Sequence, residues 1–559
     1  MKPAAYDRAM KHISKAERLV HRGRLQESIA LYRKGLKLIP KNADVLNNFA
    51  NVLTSLKRFD EAIEVFRKAI LYDPKSPQAH ANLGSALASM GEYHQAIVEC
   101  QHALEADPTF YAVYASLGLW LSNLGRNEQA LEYLQKAIEH LPYDRWVYSL
   151  YLLVSNYSDR IDPQTQYEAH RNWYRNFFDN STNIQQVFAD QLNVHRPLNI
   201  GYVSADFRHH SVAFFIEPVL KGHDRTQVKC FCYSNNSQDD EVTQRFKKAS
   251  DVWHSVIGLN DEQLYELIRK DRIDILVDLS GHTGGNRLSV FSRKPAPLQV
   301  TYLGYPNTTG MDVMDYRITD EVADPTSIAD EFYTEKLIRL RNGFLCYSAP
   351  EFISHTDEVP CVKQGFVTFG SFNNISKLSP TTIRLWAEVL NHTPDSRLLL
   401  KGKAFNDAQT CEYFVQQFEA QGITAERLRL LAYAKNFAQH MALYDEIDIG
   451  LDSYPYNGTT TTFEALWMGV PMISRAGETH SSRVGNSILT VLGLENLVAD
   501  NDESFVQTAA HLAANSDVLT QYRRTLRARL QSSPLMDEAA FVNKLEQAYQ
   551  QVWLELLNK

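Results

Sequence analysis

Residues 452–471, DSYPYNGTTTTFEALWMGVP, decide how this chain folds. The apolar run Ile447-Asp448-Ile449-Gly450-Leu451 comes directly before and has the character of a buried strand. Asn457-Gly458 signals a turn. Thr459, Thr460, Thr461 and Thr462 follow, then Phe463, Ala465, Leu466 and Trp467 at helical spacing. The order is strand, tight turn, helix start. A helix N-terminus offers unpaired N–H groups and a positive dipole end, which suit a phosphate. Threonine hydroxyls add donors that rotate to fit an anion. Glu464 is expected in the first helical turn, where its carboxylate would accept from a ribose hydroxyl. In the competing reading a threonine caps the helix and Glu464 complements its dipole. Capping needs one hydroxyl, so four in a row favour a ligand.

The same alternation extends in both directions. Leu198 to Ser204 is a strand ending in Asp206-Phe207-Arg208-His209-His210. Val228–Tyr233, Ile273–Leu279 and Val300–Leu303 are further strands, with a helical stretch over Gln263–Lys270. The loops Ser280-Gly281-His282-Thr283-Gly284-Gly285 and Gly304-Tyr305-Pro306-Asn307-Thr308-Thr309-Gly310 follow strand ends. The pattern restarts with strands at Gly365–Phe372, Arg397–Lys401, Leu428–Leu431, Ile447–Leu451 and Val470–Ser474. Ser379-Pro380 opens a helix through Val389, and four helices are expected near 480–493, 502–513, 516–530 and 538–556. Strands alternating with helices predict two doubly wound parallel sheets. In such sheets ligands bind beyond the C-terminal ends of the strands. The two lobes are placed at 197–346 and 347–559, with their boundary in the proline-containing stretch 346–364.

The first 144 residues repeat. Ala62, Ala96 and Ala130 are evenly spaced, as are Ala69, Ala103 and Ala137, and Pro40, Pro74, Pro108 and Pro142. Phe49-Ala50, Leu83-Gly84 and Leu117-Gly118 keep the same register, while Gly23, Gly91 and Gly125 mark interhelical turns with Lys57 in the equivalent place. This pattern resembles the tetratricopeptide repeat. Four units fit, at 9–42, 43–76, 77–110 and 111–144, the first degenerate with Ser28 and Gly35 at the alanine places. Such arrays stack into a superhelix with a concave protein-binding face; the alternative is a spacer or dimerisation arm. A helical linker over 145–196 carries Tyr148, Tyr151, Leu152, Tyr167, Trp173, Tyr174 and Phe177, expected to clamp the repeats onto the lobe that begins at Pro197. His170 lies in it, read from the residues as an interfacial histidine.

The 559 residues support several domains, with 44% hydrophobic and 22% charged residues. A formal charge of −9 argues against nucleic acid or anionic membrane as partners. No signal-peptide core or transmembrane run is found. The six cysteines make no framework, so reduced thiols in a cytoplasmic protein and no zinc site are expected.

Few charged groups fall after strand ends. Lys377, after Asn373-Asn374-Ile375-Ser376, would neutralise a diphosphate, or is a solvated loop lysine. His210 would accept a proton or bond a sugar, and Asp206 is either a base or a cap. His282 has the same ambiguity. Asp239-Asp240 has the character of a solvated pair. No Gly-x-Gly-x-x-Gly and no P-loop occur, which disfavours dinucleotide oxidoreduction and NTP hydrolysis.

Repeats followed by GYVSADFRHH, DLSGHTGG, RKPAPLQVTYLGYPNTTG, DYRITD, FGSFNNISKLSP and YNGTTTTFEALWMGVP resemble the O-GlcNAc transferase family, and most of all its Spindly branch. The resemblance covers nearly the whole chain. It implies a bilobal GT-B glycosyltransferase moving a sugar from a nucleotide diphosphate to Ser or Thr hydroxyls of proteins, with inversion and no metal or other cofactor. By resemblance, Lys377 contacts the diphosphate, while His210, Asp206 and His170 are catalytic. Gly304, Pro306, Asn374, Phe437, His440, Thr459, Thr460, Thr461 and Glu464 belong to the donor pocket. Three departures from the animal pattern concern the donor: Thr459 replaces a histidine, Glu464 an aspartate and Phe437 a lysine. The long insert between the catalytic halves is also missing. The Spindly branch includes O-fucosyltransferases, so GDP-fucose and UDP-GlcNAc both stand. Expected partners are acceptor proteins held by the repeats and a second copy of the chain in a homodimer. The alternatives are a repeat scaffold whose nucleotide-sugar domain is inactive, and a glycosyltransferase acting on small molecules or glycans.

Overall fold

The computed structural model describes residues 3–178, 188, 196–350, 353 and 356–558. Parts of the expected linker (179–187, 189–195) and lobe boundary (351–352, 354–355) lie outside the described residues. The chain forms two compact units, Met1–Val147 with Lys403–Tyr413, and Tyr148–Gly402 with Phe414–Lys559.

In the first unit, helices pair in antiparallel sequence: α1 (Pro3–His21) with α2 (Leu25–Leu38), α3 (Ala43–Ser55) with α4 (Phe59–Tyr72), α5 (Pro77–Met90) with α6 (Tyr93–Ala106), and α7 (Ala112–Asn123) with α8 (Asn127–His140). The repeated alanines are why the helices approach so closely. Ala62, Ala69, Ala96, Ala103, Ala130 and Ala137 are all fully buried. At Gly118 even a methyl group would come within 2.4 Å of Leu134 Cγ. Gly23, Gly91 and Gly125 adopt φ of 72°, 91° and 73° between paired helices, and Lys57 takes the same left-handed backbone at 59°. The segment Lys403–Tyr413, placed by sequence in the C-terminal lobe, packs with the repeats. Asp407 lies 3.5 Å from His94 Nε2, and Arg126 sits over the Tyr413 ring.

The second unit contains two all-parallel sheets. The first has seven strands: β1 (Leu198–Ser204), β2 (Val228–Ser234), β3 (Val252–Ser255), β4 (Ile275–Asp278), β5 (Leu298–Thr301), β6 (Tyr316–Thr319) and β7 (Lys336–Arg339), in the order β3-β2-β1-β4-β5-β6-β7. The second has six: β8 (Thr368–Ser371), β9 (Arg397–Lys401), β10 (Leu428–Leu431), β11 (Ile449–Leu451), β12 (Met472–Arg475) and β13 (Val498–Ala499), in the order β10-β9-β8-β11-β12-β13. Strand boundaries move where the backbone turns left-handed. Gly365 caps the short helix Pro360–Gln364, so β8 starts later than expected, and Leu303 at φ 73° lies beyond the end of β5. The helices α9 (Arg145–Ser155) and α10 (Pro163–Phe178) cover the first sheet. Leu152, Trp173 and Tyr174 share one core with Val203, Phe231, Leu276 and Phe291. The last helix, Glu538–Leu557, crosses back to the first lobe. Glu546 bonds His223 Nδ1 at 2.7 Å, and Lys544 donates to the carbonyls of Arg341 and Gly343. All six cysteines are free thiols, and no helix among the described residues is long and apolar enough to cross a membrane.

Lys57 is one of the non-glycine residues held in the left-handed backbone region. A side chain in the left-handed region costs about 1–2 kcal/mol, against about 0.4–1 kcal/mol for the greater unfolded freedom of glycine. Lys57→Gly is therefore expected to raise the opening free energy of the α3–α4 pair by about 0.5–1 kcal/mol, measured by native-state amide hydrogen exchange.

Candidate functional site

The turn after β11 is held by one buried carboxylate. Asp452 is 3% exposed. It accepts from the backbone N–H of Ser453 (2.9 Å) and Gly458 (2.6 Å) and from the Ser474 hydroxyl (2.8 Å). Asn457 ties the turn further, donating its amide to the Ser453 carbonyl and its N–H to the Ser481 carbonyl. Ser379 and Thr382, at the start of the helix Pro380–His392, both donate to the Tyr454 carbonyl. The helix Thr460–Trp467 starts from this fixed turn. Thr459 makes no side-chain capping bond. Thr462 is spent on the Gly458 carbonyl at 3.0 Å. The hydroxyls of Thr459, Thr460 and Thr461 are partly exposed and have no protein partner among the described residues. They stand around the helix's first N–H groups, which have no intrahelical acceptor. This preorganised set is complementary to an anion. The other threonine loop, after β5, is different: Thr308 and Thr309 are consumed by the buried Glu335 carboxylate, and Arg317 clamps the carbonyls of Tyr305 and Asn307.

Lys377 ends a short 3₁₀ turn after β8, whose first residue is preceded by Asn374 as side-chain cap. Its ammonium donates to the Asn457 carbonyl at 2.7 Å and lies 4.2 Å from the Tyr456 ring centroid. Burial lowers its pKa to about 8, opposed by the nearby Asp452 carboxylate. Burial likewise raises Asp452 to about 6, opposed by its hydrogen bonds and by Lys377. A lysine held this way is half-desolvated beside the threonine turn, which strengthens its attraction to a phosphate.

Glu464 departs from expectation. The helix begins at Thr460, so Glu464 falls in the second turn, buried. Its Oε2 accepts from His440 Nε2 (2.9 Å) and the Tyr444 hydroxyl (3.2 Å). Lys401, at the end of β9, contacts His440 Nδ1 at 2.6 Å. Lysine only donates, so His440 Nδ1 accepts and Nε2–H points to Glu464. Both of these contacts use Oε2. Phe437, the first residue of the helix Phe437–Ala442, is half-buried and stacks on Phe214 of the first lobe, with centroids 6.0 Å apart. Phe215 similarly meets Phe463 at 5.4 Å. The helix that follows β1 therefore meets the helices that follow β10 and β11.

In the first lobe, Asp206 is 8% exposed, with Arg208 at 3.2 Å and His210 Nε2 at 3.8 Å from its Oδ1. The Val212 N–H donates to His210 Nδ1 at 3.3 Å. Burial lowers the His210 pKa, so its ring is neutral. With Nδ1 accepting, the proton is on Nε2, and His210 in this state is a donor rather than a base. Gly304 is demanded by packing: a Cβ there would come within 1.8 Å of the Leu279 carbonyl oxygen. Pro306 is buried in the same loop.

Two histidines read from the sequence, His170 and His282, are buried. His170 is fully buried, with Nδ1 on the Gln166 carbonyl (2.6 Å) and Nε2 on the Tyr305 hydroxyl (2.7 Å). Burial pushes its pKa down to about 4. Both ring nitrogens have protein partners in this structure. His282 is buried against Trp173, bonded to Ser149 and the Thr309 carbonyl, and burial lowers its pKa strongly.

Comparison with known proteins agrees with this geometry. Residues 182–365 and 353–545 match glycosyl transferase family 41, and residues 50–91, 77–110 and 111–139 match tetratricopeptide repeats. The chain belongs to glycosyl transferase family 41. It is 41% identical over 407 residues to the probable UDP-N-acetylglucosamine–peptide N-acetylglucosaminyltransferase SPINDLY of Solanum lycopersicum, covering 72% of this chain and 43% of that protein. It is 31% identical over 370 residues to the similarly named SEC of Arabidopsis thaliana, covering 64% and 37%. A solved mutant of the Thermobaculum terrenum O-GlcNAc transferase superposes with a TM-score of 0.87 at 34% identity, covering 92% of this chain and 98% of that one. The chain thus spans less than half the length of the curated relatives it matches. The architecture is the GT-B one: helical repeats, then two parallel lobes.

Within this family 41 chain, one cluster brings together Lys377, Thr459, Thr460 and Thr461 around the turn, and another joins His440, Glu464 and Phe437. His210 and Asp206 occupy the facing loop. Sequence reading missed Asp452, Tyr456, Lys401 and Tyr444. A carboxylate directly after an apolar strand was the available signal for Asp452. Truncating it strands the Gly458 and Ser453 N–H groups and the Ser474 hydroxyl. Asp452→Ala is expected to cost about 3 kcal/mol of stability, seen as a lower chemical-denaturation midpoint of the lobe transition, together with weaker nucleotide diphosphate binding by calorimetry.

Proposed function

We propose that this chain is a protein O-glycosyltransferase that moves a sugar from a nucleotide-sugar donor to Ser or Thr hydroxyls. The supporting observation is the pairing of a fixed threonine turn, with three free hydroxyls at a helix N-terminus, and the half-desolvated ammonium of Lys377 beside it. The diphosphate occupies the turn. Lys377 leaves the Asn457 carbonyl for the leaving oxygen and neutralises charge as the glycosidic bond breaks. Glu464 takes the ribose, oriented by His440 and Tyr444. Asp206 is the proton acceptor nearest the acceptor side, and the Nε2–H of His210 donates to sugar or acceptor oxygen. No step needs a metal in the cleft, and direct displacement by the acceptor hydroxyl inverts the anomeric carbon. The repeats supply the binding face for unstructured segments of acceptor proteins, in the cytoplasm. A repeat scaffold that binds nucleotide sugar without turnover is disfavoured by the intact turn and lysine.

For the donor, the resemblance of the motifs to the Spindly branch, which includes O-fucosyltransferases, and the aromatic Phe437 favour GDP-fucose, whereas the matched SPINDLY proteins are named for UDP-N-acetylglucosamine. A purine presents a larger face to a ring than a pyrimidine does, and stacking is worth about 1–3 kcal/mol per base.

Lys377→Ala is expected to lower transfer about 10²-fold or more with an unchanged melt; near-wild-type transfer overturns the assignment. The charge has a defined pH window. With a folded pKa of about 8, Lys377 loses its proton as pH rises through 8, so kcat/KM falls on the alkaline side there. A bound diphosphate favours the ammonium, so the fall in kcat lies at higher pH.

Calorimetric titration of GDP and UDP into the full chain tests the donor. GDP is expected to bind more tightly. UDP binding tenfold more tightly, a gap of about 1.4 kcal/mol, would make UDP-GlcNAc the donor.

A further inference from the structure

Away from the cleft, the third repeat brings together three side chains whose chemistry is unexplained by helix packing. His80 on α5 and Glu99 and His102 on α6 place one ligand atom each within 4.8 Å of one another. His80 is 7% exposed. Its Nε2 lies 3.2 Å from the Pro74 carbonyl and its Nδ1 2.6 Å from Glu99 Oε2. Both partners only accept, so either a ring proton or a cation stands between Nδ1 and Glu99. His102 Nδ1 lies 3.8 Å from that same Oε2. Its ring meets His80 edge-on at 5.3 Å.

We infer that His80, Glu99 and His102 form a divalent transition-metal site that braces α5 to α6. Two imidazoles and one carboxylate select zinc-class ions over magnesium or calcium. The backbone carbonyl on the far side of His80 is the outer-shell partner that metal-bound histidines use to fix their tautomer and orientation. Ligand atoms around a tetrahedral ion at about 2.0–2.2 Å stand about 3.3 Å apart. The pair at 2.6 Å opens and the pair at 3.8 Å closes to meet that geometry, and the two histidine nitrogens adjust within the 4.8 Å that spans the cluster. Glu99 and His102, one helical turn apart, point to the same side of α6. The His102 side chain is 47% exposed, which gives the ion a path in and leaves a coordination position for water.

The test is calorimetric titration of zinc chloride into the full-length, chelator-treated chain at pH 7.5, with thermal melts in parallel. One saturable site of about micromolar affinity is expected, with a melt raised by zinc and restored by EDTA. His102→Ala, at the exposed edge, is expected to fold as the wild type does and to weaken binding at least tenfold. Glu99→Gln keeps the shape and should do the same. Absence of saturable binding tighter than about 100 µM would overturn the inference, leaving an ordinary His80–Glu99 hydrogen bond. So would wild-type affinity in His102→Ala, since the ion would then sit on other histidines.

Discussion

The buried carboxylate of Asp452 is the constraint on which the site depends. It is the acceptor around which the turn from β11 into the next helix is wound, gathering two backbone N–H groups and a serine hydroxyl from β12. A rigid turn keeps Thr459, Thr460 and Thr461 from satisfying one another and leaves the helix end open to an anion. Asp452 also opposes the desolvation that would otherwise discharge Lys377. Burial and ion pairing thus pull against each other in one pair of groups. The balance places the lysine near physiological pH, where a nearby anion would shift it further toward the ammonium.

The lobes are joined by polar contacts as well as aromatic ones. His480 bonds the buried Asp324 at 2.6 Å, Ser487 donates to Asp320, and Arg483 donates to the Val322 carbonyl. Asp324 is held well below the usual carboxylate range because its ion pair with His480, its hydrogen bonds and Arg317 outweigh burial. Phe214 of the first lobe also stacks on Phe437 of the second. With the returning helix Glu538–Leu557, these contacts make the two sheets one unit.

Much of this was legible in the sequence because packing repeats itself. Alanines at equal spacing and apolar runs before glycine-rich loops are direct consequences of helix approach and parallel burial, so the four helix pairs and most strands could be read. β3, β6 and β7 were missed because their four residues mix polar with apolar side chains. Arg317, inside β6, is buried only because two loop carbonyls accept its guanidinium. His170 and His282 illustrate the limit for chemistry. Both fit the pattern of site residues, yet their nitrogens are consumed by carbonyls and hydroxyls from elements far away in the chain. The partners of His440 and the cluster of His80, Glu99 and His102 were invisible for the same reason: each joins residues from different helices or strands.

The central claim is that the chain uses its threonine turn and Lys377 to transfer sugar, not merely to hold a nucleotide. Intact-mass measurement of Ser- and Thr-rich acceptor proteins incubated with the full chain and either GDP-fucose or UDP-GlcNAc tests it most directly. The account predicts increments of one sugar residue per modified hydroxyl with one of the two donors. Saturable nucleotide binding with no increment on any acceptor, from either donor, would contradict it and leave a nucleotide-sugar-binding scaffold.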